Sequence, residues 1–106
     1  MIVAVAFAGL AGAAVRPTLK VAPGTVHRGG KVTFSGAHWP KRVTVTLLLG
    51  YPNSDAAKFA GVKTTAAGTF TYTLPIKPTA PTGRYVVLAC RNNCRTKVSR
   101  PLTIAP

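Results

Sequence analysis

The sequence predicts an all-β chain, an antiparallel sandwich of about seven strands. Two observations carry that expectation: short stretches alternate apolar and polar residues with period two, and clusters of Gly and Pro punctuate them. A third is that the only helix-like candidate, Ser54-Asp55-Ala56-Ala57-Lys58, amounts to at most one turn, with Ser54 as its cap.

The elements follow in order. Residues 1–14, ending in Gly12-Ala13-Ala14, are uncharged, apolar and rich in small residues. The run is too short for a membrane span of about 20 residues. Its length and ending fit a secretory h-region and cleavage site, although no basic residue precedes it. A buried first strand or helix is the alternative. The expectation is an exported chain, with residues 15–106 forming one domain.

Leu19-Lys20-Val21 reads as a short opening strand. Lys31-Val32-Thr33-Phe34-Ser35 buries Val32 and Phe34. Val43 to Leu49 turns Val43, Val45, Leu47 and Leu49 inward. Thr69 to Leu74 sets Phe70, Tyr72 and Leu74 against three threonines. Arg84–Cys90 and Thr96–Ile104 form a closing pair. Turns are expected at Pro23-Gly24, Gly29-Gly30, Gly36, Pro40, Gly50 to Asp55, Ala67-Gly68 and Pro78 to Gly83.

Charge is the anomaly of the composition. Fourteen Lys and Arg stand against one acidic residue, Asp55, for a net charge of +13 over 106 residues. Such a chain attracts polyanions and resists self-association. Catalysis is not expected, since a general acid–base pair needs two titratable groups with separated pKa values. No serine sits in a nucleophile elbow, and Gly29-Gly30-Lys31 leads into a strand rather than a phosphate-cradling helix.

Val21-Ala22-Pro23, Arg28-Gly29-Gly30-Lys31-Val32-Thr33-Phe34-Ser35-Gly36, Trp39-Pro40, Ala66-Ala67-Gly68-Thr69-Phe70 and Ala80-Pro81-Thr82-Gly83-Arg84-Tyr85 occur in that order. This series resembles the immunoglobulin-like modules of secreted and surface-attached bacterial proteins, of a type common in high-GC Gram-positive bacteria. The resemblance runs from about Leu19 to Ile104 and rests on turn chemistry and core packing. It therefore implies an immunoglobulin-like sandwich and transfers no catalytic residue. It also puts Tyr85 where a tyrosine corner would bond back to the preceding loop. Modules of this kind serve as spacers, adhesins, wall-binding units and small-ligand carriers, and this copy is unusually basic among them.

Cys90 and Cys94, the only cysteines, flank Arg91-Asn92-Asn93. Across a hairpin turn they come within disulfide reach, which an exported chain would use. Metal binding and free thiols are the alternatives. Histidines 27 and 38 would be the only further metal ligands on offer, so neither a metal nor another cofactor is expected. Arg84, Arg91, Arg95, Lys97 and Arg100 crowd one expected hairpin and form the candidate surface for an anionic wall polymer, a membrane surface or another polyanion. RNA-reading aromatics and a recognition helix are missing, so sequence-specific nucleic-acid binding is not expected. Trp39 is expected to plug one end of the sandwich. Otherwise it joins Tyr51 and His38 as an exposed stacking platform. The reading is thus a secreted or surface-located, non-catalytic module for anionic partners. A plain spacer and a carrier with a cleft near Trp39 are its rivals.

Overall fold

A computed structural model of the chain describes residues 16–51, 56–91 and 93–106. The expected leader, residues 1–14, lies outside them, as do Ser54 and Asp55 of the helix-like candidate. Eight strands are described: β1 (Thr18–Ala22), β2 (Thr25–His27), β3 (Lys31–Ala37), β4 (Thr44–Gly50), β5 (Ala57–Lys63), β6 (Phe70–Pro75), β7 (Gly83–Arg91) and β8 (Thr96–Ala105). They form a three-stranded sheet, β1-β3-β6, and a five-stranded sheet, β2-β8-β7-β4-β5. All neighbours are antiparallel except β2 and β8, which run parallel.

Alternation decides what each strand buries, because successive side chains point to opposite faces. Val32 and Phe34 of β3, Val45 and Leu47 of β4, Val87 of β7 and Leu102 of β8 are completely buried. Together they form the centre of a single core that both sheets share. Each such side chain contributes roughly 1.5–3 kcal/mol over its exposed state. On the outer side of the small sheet the expected polar face is present, with Thr33 paired to Thr73 and Ser35 to Thr71.

Three differences from the expected strands have physical reasons. Ala57 and Lys58 are not helical but open β5, an edge strand whose Ala57-Lys58-Phe59-Ala60-Gly61 run has weak propensity of its own. Pairing to β4 makes it a strand, with a bulge at Leu47/Leu48 that absorbs one extra residue. The second difference is β2, three residues long and held only by its partner β8. Thr103 donates its backbone N–H to Gly24 O, and Arg28 to Ala105 O. The third is the connection at Ala22–Pro23, a cis bond, across which the chain changes sheets between β1 and β2.

The β3–β4 connection is latched from several sides. Trp39 is 4 % exposed and donates its indole N–H to Thr18 O at 2.9 Å, with its ring set edge-on to Phe70. Its backbone N–H bonds to Gly68 O. The buried Thr64 hydroxyl donates to Pro40 O at 2.7 Å and accepts from Val43 N at 2.9 Å. Gly68 is required where it stands, because its φ is +75° and a Cβ there would run into Trp39 O. Gly68→Ala is therefore expected to lower the unfolding free energy by roughly 1–3 kcal/mol. Gly24→Ala, with nothing within 4 Å of the added carbon, should stay near neutral. Denaturant melts followed by Trp39 fluorescence check both; equal stability of the two variants would contradict the latch.

Candidate functional site

Thirteen of the fourteen Lys and Arg side chains are exposed, and the remaining one, Arg91, is half-buried. No acidic side chain lies among the described residues, since Asp55 is outside them. Positive charge is therefore widespread over the described surface, and a site must be found by shape and register rather than by sign alone.

Register divides the five basic residues singled out in the sequence. Directly opposed residues in an antiparallel ladder share a face. Arg84 opposes Thr103 and Lys97 opposes Cys90, on the side away from the core. Arg100 opposes Val87, and Arg91 opposes Thr96, on the side of Tyr85, Val87 and Ala89. Arg95 stands in the turn. The hairpin is thus not one cationic face: its five charges leave it in different directions.

Two adjoining cavities gather part of the set differently. One, of about 320 Å³, is lined by Leu19, Lys20, Val21, Gly24, Arg100 and Pro101. The other, of about 410 Å³, lies against Gly24, Thr25, Arg84, Pro101, Leu102 and Thr103. They share Gly24 and Pro101 and so adjoin where the chain passes from β1 to β2 beside β8, as a cleft in two lobes: Lys20 and Arg100 border the smaller, Arg84 the larger. Both are open grooves rather than enclosed pockets. Arg100 is partly committed, donating from its guanidinium to Ser99 O at 2.9 Å. Lys20 was not singled out by sequence, because nothing local says that β1 will lie beside β8.

The aromatic platform is not formed. Trp39 is locked in the core, as the plug reading expected, and so offers no face to a ligand or to a cleft around it. Tyr51 follows the other end of β4, seven residues of strand away, and stacks instead on Tyr85, with ring centroids 4.7 Å apart. The expected tyrosine corner is present: Tyr85 donates its hydroxyl to Pro81 O at 2.7 Å. The Tyr51 hydroxyl lies 3.2 Å from that of Tyr85, whose proton is already committed, so Tyr51 is the donor of that pair.

The disulfide is present between Cys90 and Cys94, with Cα atoms 4.5 Å apart. Asn93 and Cys94 both take left-handed backbone, with φ of 56° and 63°, which lets the turn close on so few residues. Asn92 lies outside the described residues. Cys90 is 2 % exposed although it points away from the core, since its partner folds over it.

The sequence matches no protein-family model, and no curated protein is significantly similar to it. Solved structures do resemble it. Macromomycin is 16 % identical with a TM-score of 0.65, over 84 % of this chain and 99 % of that one. An uncharacterised protein from Bacillus anthracis str. Ames is 14 % identical with a TM-score of 0.54, over 81 % and 80 %. At such identities the likeness is one of all-β fold alone.

The corner has a pH signature. Burial, with Tyr51 beside it, pushes the Tyr85 phenol up from its ordinary 10.0 to about 12. A phenol harder to ionise when folded stabilises the fold fully below pH 10, and that contribution is lost as pH rises from about 10 to about 12. In a spectrophotometric titration at alkaline pH one tyrosine should ionise late, and Tyr85→Phe should abolish that late step. The substitution should also flatten the fall in stability across the same window. If the late step survives in the variant, it belongs to another residue.

Proposed function

We propose that this chain is a secreted, non-catalytic immunoglobulin-like β-sandwich module that binds an anionic partner of the cell envelope, such as a phosphodiester wall polymer. The observation that carries the reading is the cleft at the β1–β2 passage, bordered by Lys20, Arg84 and Arg100 with no acidic side chain among the described residues. The immunoglobulin-like part is supported by the two-sheet strand order and by the Tyr85 corner. Export is supported by the apolar leader pattern and by the disulfide.

A cleft matters because diffuse charge and a site respond differently to salt. Exposed charges further apart than about 8 Å are largely screened at physiological ionic strength. A polyanion long enough to lie across both lobes meets Lys20 and Arg100 in one and Arg84 in the other. Arg suits phosphate especially, since its planar fork donates two parallel hydrogen bonds.

The test is charge removal at constant total charge. Lys20→Gln/Arg84→Gln/Arg100→Gln and a control, Lys31→Gln/Lys41→Gln/Lys77→Gln, each lose three positive charges at exposed positions. Binding to poly(glycerol phosphate) is followed by NMR at low and moderate salt. The cleft variant is expected to weaken binding at least tenfold and the control no more than about threefold, a gap of some 0.7 kcal/mol. Amide shifts should centre on Gly24, Arg84 and Thr103. Equal losses in the two variants would make the charge a general property and the chain a spacer.

A further inference from the structure

The outer face of the five-stranded sheet departs from the rule that the small sheet obeys. There the solvent side carries Thr33, Ser35, Thr71 and Thr73. On the large sheet the two central strands turn apolar residues outward as well. Leu48 of β4 stands directly opposite Leu88 of β7, and Val86 lies opposite Pro101 on one side and Gly50 on the other. These side chains are half-buried by one another in the sheet plane. They are not among the partly buried residues that pack on the core, such as Leu49, Val62 and Val98. The three-stranded sheet occupies the opposite side, and Leu48, Val86 and Leu88 therefore gain nothing from the core they back onto.

Cations frame this strip. Arg84 stands two residues before Val86 on the same face, within the larger cavity. Lys97 opposes Cys90 at the far end, and Lys58 pairs with Leu48 on the flank. Arg84 to Leu88, from the head cation to the end of the strip, covers about 13 Å of strand at ~3.3 Å per residue, the scale of a medium-length acyl chain. An apolar strip with positive ends disfavours a second copy of this chain, which would bring like charges face to face. It suits an occupant with an apolar body and an anionic head.

We propose that this face holds a single-chain anionic amphiphile, its acidic head against Arg84 in the 410 Å³ cavity and its chain along Val86, Leu88 and Leu48. The inference rests on the anion-binding reading of the cleft and names the class of ligand that reading leaves open. Recognition is by Coulomb attraction and two hydrogen bonds at the head, and by removal of apolar surface from water along the chain.

The experiment uses three probes on the full chain: dodecyl phosphate below its micelle concentration, butyl phosphate, and the uncharged dodecyl maltoside. Dodecyl phosphate is expected to bind at least tenfold more tightly than either, with amide shifts running from Arg84 through Leu88 to Leu48. Leu88→Thr, on the outer side of the strand, should weaken dodecyl phosphate about tenfold and leave poly(glycerol phosphate) binding unchanged. Arg84→Gln should abolish the preference over the maltoside. Equal affinity for dodecyl and butyl phosphate would overturn the proposal, and so would equal affinity for the maltoside, or a dimer formed through this face on sedimentation. In each of those cases the cleft reading survives if the Lys20/Arg84/Arg100 variant still loses poly(glycerol phosphate) selectively. It falls separately if that variant matches its control.

Discussion

Everything in this chain hangs on the registers of β7 with β8 and β4. Because the side-chain period in a strand is two, a slip of one residue would exchange the two faces of β7 completely. In the register present, Tyr85, Val87 and Ala89 enter the core while Arg84, Val86, Leu88 and Cys90 leave it. The same choice brings the Tyr85 hydroxyl to Pro81 O and allows Cys94 to reach back to Cys90. Corner and clasp thus pin the two ends of one strand. The clasp closes a five-residue ring and is worth only about 2 kcal/mol of loop entropy, so its effect is on the tip rather than on the fold.

A second consequence concerns the edges. Thr103 donates toward β2, so the backbone groups of Pro101, Ser99 and Lys97 point the same way, beyond the short reach of β2. That edge would invite another strand. It is closed by three local means: Pro101 has no N–H to offer, Arg100 covers Ser99 O at 2.9 Å, and Lys97 brings its charge. Arg100 therefore has a structural duty beside any part in the cleft, and four of its five guanidinium donors remain for a ligand.

Much of this was legible in the sequence, and the limits were physical. Six strands could be read because their alternation is local: Val32 and Phe34, or Phe70 and Tyr72, declare their faces within a few residues. The Cys90–Cys94 pairing was readable because its turn is local too, and the corner at Tyr85 through the resemblance to immunoglobulin-like modules. β2 and β5 were not, since three residues carry no period and Ala57–Lys63 becomes a strand only by pairing to β4. The cationic lining of the proposed cleft was half legible. Arg84 and Arg100 do border the cleft, but crowding along the chain says nothing about faces. Arg91, Arg95 and Lys97 line neither lobe, and Lys20 arrives from the opposite end of the sequence. The outward Leu48, Val86 and Leu88 did leave a trace, an apolar run through both parities of a strand. That trace also fits a strand buried on both faces, and only the sheet order separates the two.

Charge and apolar surface usually compete in a small domain, and here each makes the other tolerable. An outward strip of Leu and Val on a sheet face is an aggregation hazard in a neutral protein. At +13, two copies approaching through that strip repel over the whole encounter. Conversely, fourteen cations against a single carboxylate would give little discrimination among polyanions, since exposed charge attracts all of them alike. The strip supplies the missing discrimination, because apolar contact is gained only by a partner that carries something apolar. Arg84 belongs to both features: it borders the cleft that favours an anion and begins the strip that favours a chain. A single side chain at that junction couples the two requirements, so a ligand that meets both is held by a surface that neither its charge nor its chain would select alone.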